Sequence, residues 1–304
     1  MKIDRSTLLG LFALLLWSAT VALARRSSES IGPLTTGACV YLSAGVFAVT
    51  HWLFKGGVAQ TLRAWPRAYV FGCGTLFVVN NVTLFMALGL ATGRQQALEV
   101  GLVNYLWPTL TLLLSVVLLD RRASMWLVPG TGLALVGVFL VLTHGASVSW
   151  GSFCRNLLAE PVAYGLALVA AVSWAFYSNL THRWGGGGKD GAVPLFMLAT
   201  GIAMLIVRLL RPEAAAWSGR VVAEVGFLGM VTAMAYVFWD GAMRKGDVVL
   251  VAACSYLTPF LSTVVSCVYL GVLPGVSLWA GCALLVCGSF LSWWSISNGR
   301  AARS

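Results

Sequence analysis

Charge is what this sequence has least of. Only 10% of its residues are Asp, Glu, Lys or Arg, where a soluble domain carries roughly 25%. A water-soluble surface cannot be assembled from so few, and the mean hydropathy of +0.86 agrees. The bilayer is therefore the expected solvent. Histidine is scarcer still: His51, His144 and His182 each fall at the end of an apolar stretch. They are read as interfacial residues, not as a proton relay. The seven cysteines are odd in number and irregularly spaced. That excludes a disulfide framework or metal cluster and leaves small packing residues. Gly185 to Gly188 precedes Lys189, but the second-glycine spacing and the hydroxyl of a phosphate loop are missing. No cofactor is expected. The formal charge is +10, yet the basic residues lie singly or in pairs between apolar runs. Without a basic patch interleaved with aromatics, nucleic acid is excluded as a partner.

What is present is apolar length. Ten segments stand out: 7–24, 33–54, 67–90, 95–119, 124–143, 161–182, 191–210, 221–243, 247–270 and 276–296. Each suffices to cross a hydrocarbon core of roughly 30 Å at about 1.5 Å per residue. The longest internal loop, 144–160, falls between segments five and six. With the N-terminus in the cytoplasm, thirteen of the twenty Lys and Arg residues lie on the cytoplasmic side. That bias predicts both termini inside. Lys2 and Arg5 precede the first apolar run, and Ala22-Leu23-Ala24 resembles a signal-peptidase site. The run is read as an uncleaved first span, because the second half contains its counterpart.

Two stretches organise the chain. Tyr105-Leu106-Trp107-Pro108-Thr109-Leu110-Thr111 recurs as Tyr256-Leu257-Thr258-Pro259-Phe260-Leu261-Ser262, 151 residues later. A proline inside a helix removes one backbone hydrogen bond and clashes with the carbonyl four residues back. At the same offset Gly130 matches Gly281, Gly137 matches Gly288 and Phe139 matches Phe290. Trp17 matches Trp174 at an offset of 157. Each half holds five spans, an odd number, so the second half enters the membrane upside-down. The expected fold is all-α, with ten transmembrane helices in two inverted five-helix repeats, residues 1–145 and 146–304. Such repeats place a transporter's site at the midplane between them.

These features resemble the drug/metabolite transporter superfamily, in its ten-helix EamA-type exporter branch. The resemblance rests on Leu16-Trp17-Ser18-Ala19 with Ser173-Trp174-Ala175-Phe176, on the two proline motifs, and on Gly130/Gly137 with Gly281/Gly288. Within that branch, Trp107 in its Asn104–Pro108 run and Trp174 are similar to exporters of aromatic amino acids. The resemblance implies a secondary transporter of the bacterial inner membrane, working by alternating access. Superfamily members move amino acids, sugars, nucleotide sugars and drugs, so the substrate does not follow from the fold.

The residues narrow the choice. Pro108 and Pro259 are expected hinges, each freeing a carbonyl beside a polar side chain, at Asn104 and Ser255. Gln96, Glu99, Asn104, Trp107 and Thr111 share one arc of the fourth segment, a face too polar for lipid. Glu99 is a coupling carboxylate or a binder of a substrate ammonium on one reading, and a solvated rim residue on the other. Asp240 precedes Arg244 by four residues, the spacing of an ion pair on one helix face. Substrate lining is expected from Trp17, Asn80, Asn104, Tyr105, Trp107, Trp174, Tyr177 and Tyr256, with Tyr236 and Trp239 as weaker candidates. An aromatic wall with free amides suits an amino acid, especially an aromatic one, as the small-molecule partner. A monomer in the lipid bilayer is expected. A drug or nucleotide-sugar carrier is the rival transporter, but phosphate would need mid-span Lys or Arg, and none is present. An intramembrane enzyme or a non-transporting interaction protein is the rival of another class. It would need a positioned nucleophile or base, such as Glu99 on a cavity Ser or His.

Overall fold

A computed structural model describes residues 4–56, 58–143, 150–186, 188, 190–270 and 276–301. Lys2, His144, Gly187 and Lys189 lie outside the described residues, as does the side chain of Cys267. Every regular element described is helical. In order these are α1 (Arg5–Ile31), α2 (Pro33–Lys55), α3 (Val58–Ala64), a π-helical turn (Ala68–Cys73), α4 (Gly74–Leu90), α5 (Arg94–Asn104) and α6 (Trp107–Leu118). Then come α7 (Leu127–Leu142), α8 (Trp150–Ala159), α9 (Pro161–Trp184), α10 (Val193–Leu210) and α11 (Gly219–Lys245). The chain ends with α12 (Val248–Cys254), a 3-10 turn (Ser255–Leu257), α13 (Thr258–Leu270) and α14 (Val276–Ala301).

The boundaries follow local chemistry. Prolines open α2, α6, α9 and α10 in their first two positions, where a missing N–H costs nothing. Asp4, Ser218 and Asp247 cap α1, α11 and α12 through their side chains. The two Thr7 hydrogen bonds hold the Asp4 carboxyl below its usual range. Taking α5 with α6, and the π-helical turn with α4, as single stretches, eight helices among the described residues are long and apolar enough to cross a membrane, and Leu127–Leu142 and Val248–Ser262 are shorter apolar helices. The stretch expected to be a loop holds α8, a ten-residue helix with one apolar face.

Packing runs in pairs. The α1 helix lies along α11 and touches α13; α9 lies along α4 and touches α6. The α2 helix packs on α10 and α11, and α10 packs on α4 as well. Away from this group, α7 and α14 pack along each other.

The turn between α1 and α2 is held from another part of the chain. Glu213 accepts from the backbone of Leu34 (3.0 Å) and Thr35 (2.8 Å), and from Thr35 Oγ1 (2.9 Å). Gly32 sits at φ 85°, where a Cβ would lie 2.3 Å from Glu213 Oε2. The carboxylate therefore caps α2 against its positive end. Glu213→Ala is expected to cost about 1–3 kcal/mol, with Glu213→Gln losing less. Thermal unfolding of the purified variants checks this, and equal midpoints for Ala and wild type would refute the cap.

Candidate functional site

Where α1, α6, α9 and α11 meet, four tryptophans close on one another. Trp17 stands 6.0 Å from Trp174 and 5.2 Å from Trp239, centroid to centroid. Trp107 stands 6.2 Å from Trp174 and 5.6 Å from Trp239. Tyr177 stacks obliquely on Trp174 at 5.0 Å. Most of these pairs are edge-on or tilted, the arrangements the ring quadrupoles favour. Helix periodicity explains the convergence: Trp174, Tyr177 and Ser178 share one face of α9, and Tyr236 and Trp239 share one face of α11. In this conformation the rings pack on each other, with Trp174 and Trp239 buried and Trp17 and Trp107 partly so.

A polar knot adjoins this cage. Tyr41 of α2 donates to Asn81 Oδ1 of α4. The Tyr41 and Tyr236 hydroxyls are 2.5 Å apart, and Tyr236 reaches the same Asn81 oxygen at 3.0 Å. The Tyr236 ring stands on Trp17 at 5.2 Å and on Phe77 at 4.8 Å. The Trp239 indole N–H is fully buried and has no acceptor.

Of the eight expected lining residues, the structure brings Trp17, Trp107, Trp174 and Tyr177 together. Asn80 turns away toward α9: with its amide oriented to fit, it donates to the Ala170 carbonyl at 2.9 Å. Asn104, Tyr105 and Tyr256 lie at the helix breaks. There Tyr105 N–H still reaches the Gly101 carbonyl (2.9 Å), while Leu106 N–H shortens to a bond with Val103 (3.1 Å). Asn104 Oδ1 is buried without a partner. The 3-10 turn makes the matching break before Pro259. The two breaks touch: the Thr109 and Tyr256 hydroxyls are 2.6 Å apart. Each also receives a polar side chain from the other half. Ser18 reaches the Thr258 carbonyl at 3.3 Å, and Asn179 donates to the Thr111 carbonyl at 3.0 Å.

Glu99 is fully buried, so it is not a solvated rim residue. It accepts from Gln95 (3.2 Å), from Asn156 of α8 (3.1 and 3.0 Å) and from Tyr164 of α9. All are neutral donors. None is a Ser or His, the partners an enzyme reading asked for.

At the end of the bundle that carries the N-terminus, the expected ion pair is present. Arg244 Nε donates to Asp240 Oδ2 at 2.7 Å, with both side chains almost wholly buried. Tyr69 donates to Asp240 Oδ1 at 2.6 Å. A cavity of about 610 Å³ opens beside this pair, lined by Arg5, His51, Lys55, Asp190 and Lys245 among apolar residues. None of the eight expected lining residues borders it.

The aromatic cluster also takes in Tyr236 and Trp239, the weaker candidates from the sequence, and Tyr41 and Phe77, which the sequence did not single out. The i, i+3 spacing of Tyr236 and Trp239 was a usable signal. Tyr41 and Phe77 carried none, because a single aromatic in an apolar helix has no pattern to stand out from.

The profile of the EamA-like transporter family matches residues 5–143 and 161–294. Over 298 residues the chain is 34% identical to the aromatic amino acid exporter YddG of Escherichia coli K12, covering 97% of this chain and 99% of that one. It is 32% identical to the aromatic amino acid exporter YddG of Ancylobacter novellus, covering 95% and 97%. A solved crystal structure with 30% identity superimposes at a TM-score of 0.80, covering 97% of this chain and all of that one. These findings agree with the multi-pass membrane protein that the apolar helices describe.

Proposed function

We propose, from the premise that this chain belongs to the EamA-like transporter family, that it exports aromatic amino acids across the bacterial inner membrane. It works by alternating access, with both termini cytoplasmic. Ten spans form two inverted repeats, residues 1–145 and 146–304, in a single copy. The pairing of helices supports this arrangement. Number the ten spans and advance each by five. Then α1 on α11 becomes α9 on α4, α1 on α13 becomes α9 on α6, and α2 on α11 becomes α10 on α4. The α2–α10 and α7–α14 pairs map onto themselves. Each of the pairs named here is found.

The observation that carries the substrate is the uncharged aromatic cage, built by Trp17 and Trp107 from one half and Trp174 and Trp239 from the other. Flat apolar side chains fit between such rings. A phosphate-bearing substrate finds no cation there. Trp17, Trp107, Trp174 and Tyr177 contact the side chain. Asn104, Tyr105 and Tyr256 flank the breaks at Pro108 and Pro259, which act as hinges, and Asn80 lines the path as α4 and α9 part. Glu99 is the group we assign to proton coupling. It is fully buried, and its described side-chain partners, Gln95, Asn156 and Tyr164, are all uncharged.

Proteoliposomes holding only this protein test the reading. Phenylalanine efflux is expected to fall about tenfold or more in Trp107→Ala and severalfold in Asn104→Ala. Unchanged rates in both variants would sink the site assignment. Absence of efflux in the unaltered protein would sink the substrate.

A further inference from the structure

The knot of Tyr41, Asn81 and Tyr236 gathers three oxygens in mutual contact. Its three oxygens come from α2, α4 and α11, and all three residues are buried. The Asn81 amide is fixed, because Nδ2 donates to the Phe77 carbonyl at 2.8 Å. Its Oδ1 is therefore turned to the two hydroxyls. Each pair of oxygens is within hydrogen-bond distance. Two phenolic hydrogens serve three contacts, so one contact always sets lone pair against lone pair. Each oxygen has a partner, but the group as a whole holds more acceptors than hydrogens. A donor with several hydrogens placed among them would satisfy all three oxygens at once.

One turn along α11, Trp239 shows the opposite deficiency. Its N–H is buried without an acceptor, and an indole nitrogen only donates. Tyr236 and Trp239 are three residues apart on the same face, a separation of roughly 5–6 Å between Cβ atoms. One offers surplus acceptors and the other a surplus donor. Both rings touch Trp17.

We infer that Tyr41 Oη, Tyr236 Oη and Asn81 Oδ1 bind the α-ammonium of the transported amino acid, while Trp239 Nε1 donates to its carboxylate. The assignment rests on the reading of the chain as an exporter of aromatic amino acids, and it says how the polar end is recognised. As the helices part, the three oxygens, now in mutual hydrogen-bond contact, separate to meet the ammonium's three diverging N–H groups. The Trp17 and Phe77 rings both pack on Tyr236, which puts aromatic rings beside the bound cation. A zwitterion carries no net charge, so a cage without Lys, Arg, Asp or Glu suffices for it. The same cage rejects a ligand that keeps only one of the two charges.

The test uses the protein in lipid nanodiscs and three ligands: phenylalanine, 3-phenylpropanoate, which lacks the ammonium, and phenylalanine amide, which lacks the carboxylate. The unaltered protein is expected to bind phenylalanine about ten- to a hundredfold more tightly than 3-phenylpropanoate. Tyr41→Phe and Tyr236→Phe should each shrink that ratio at least fivefold. Trp239→Phe should shrink the preference over the amide instead. A purely structural role would weaken all ligands alike and leave the ratios where they were. Phenylalanine binding with equal affinity for 3-phenylpropanoate overturns the assignment without any variant having to fold. Ratios unmoved in all three variants overturn it as well, leaving the exporter reading intact. Failure to bind phenylalanine overturns both.

Discussion

Replacing Arg244 by leucine is expected to cost about 3–5 kcal/mol of stability. The reason is the group left behind. Asp240 is 1% exposed, and with Arg244 gone its carboxylate keeps only the Tyr69 hydroxyl as a described side-chain partner. Neutralising a buried charge's partner is far more damaging than removing both charges. Asp240→Asn with Arg244→Leu is therefore expected to recover more than half of the loss. The pair also ties separate elements together. Arg244 Nη1 donates to the Gly188 carbonyl at 2.8 Å, and the Ala192 N–H donates to Tyr69 at 3.0 Å. A Cβ at Gly191 would lie 1.9 Å from Asp240 Oδ2. The loop between α9 and α10, the π-helical turn and the end of α11 thus share one lock. Denaturation of the single and double variants in the same detergent measures it. A double variant no better than Arg244→Leu would refute the buried-charge account.

The lock was half legible. The i, i+4 spacing of Asp240 and Arg244 gave the pair, because helix geometry alone brings such residues together. Nothing in the spacing brought in Tyr69, which is 171 residues from Asp240. The long apolar helices were legible, since apolar length bounded by Pro, Gly and charge leaves few alternatives in a bilayer. The π-helical start of the third apolar segment was not, and neither was α8. That helix lies in a stretch too polar to read as a span and too short to read by periodicity. It supplies Asn156 to Glu99, so its absence from the sequence reading left the carboxylate's surroundings open.

The site divides in the same way. Trp17, Trp107 and Trp174, which the structure brings together, stood out in the sequence because each sits mid-segment in or beside a motif that recurs. Tyr41 lies in neither motif, yet it holds the centre of the polar knot. Asn80 and Asn81 are adjacent, and 100° of helix rotation sends them to different neighbours, α9 for one and Tyr41 for the other. Composition says that such residues need partners. Only packing between helices decides which partner each receives.

Gly288→Leu is expected to cost about 3 kcal/mol or more, while Gly132→Leu on the facing helix α7 stays within about 0.5 kcal/mol of wild type. The repeat that matches Gly137 to Gly288 and Gly130 to Gly281 has a physical basis in the α7–α14 pair. A Cβ at Gly288 would stand 2.3 Å from the Ala134 nitrogen and 2.7 Å from the Gly130 carbonyl. One at Gly137 would stand 2.7 Å from both the Gly281 carbonyl and the Leu285 nitrogen. These neighbours are backbone, which cannot rotate aside as a side chain can, so the helices themselves would have to separate. In lipid the loss is not recovered by burying the larger side chain, because helices there associate through close approach and dispersion contact, not water exclusion. Gly132 meets nothing within 4 Å, so the same substitution there adds surface without a clash. The α7–α14 pair stands apart from the tryptophan cage. Gly288→Leu should therefore lower the unfolding midpoint while the surviving folded fraction keeps its affinity for phenylalanine. Equal midpoints for the two leucine variants would show that close approach of α7 and α14 does not hold this end of the bundle together. A changed affinity at an unchanged midpoint would place the pair in the transport cycle instead.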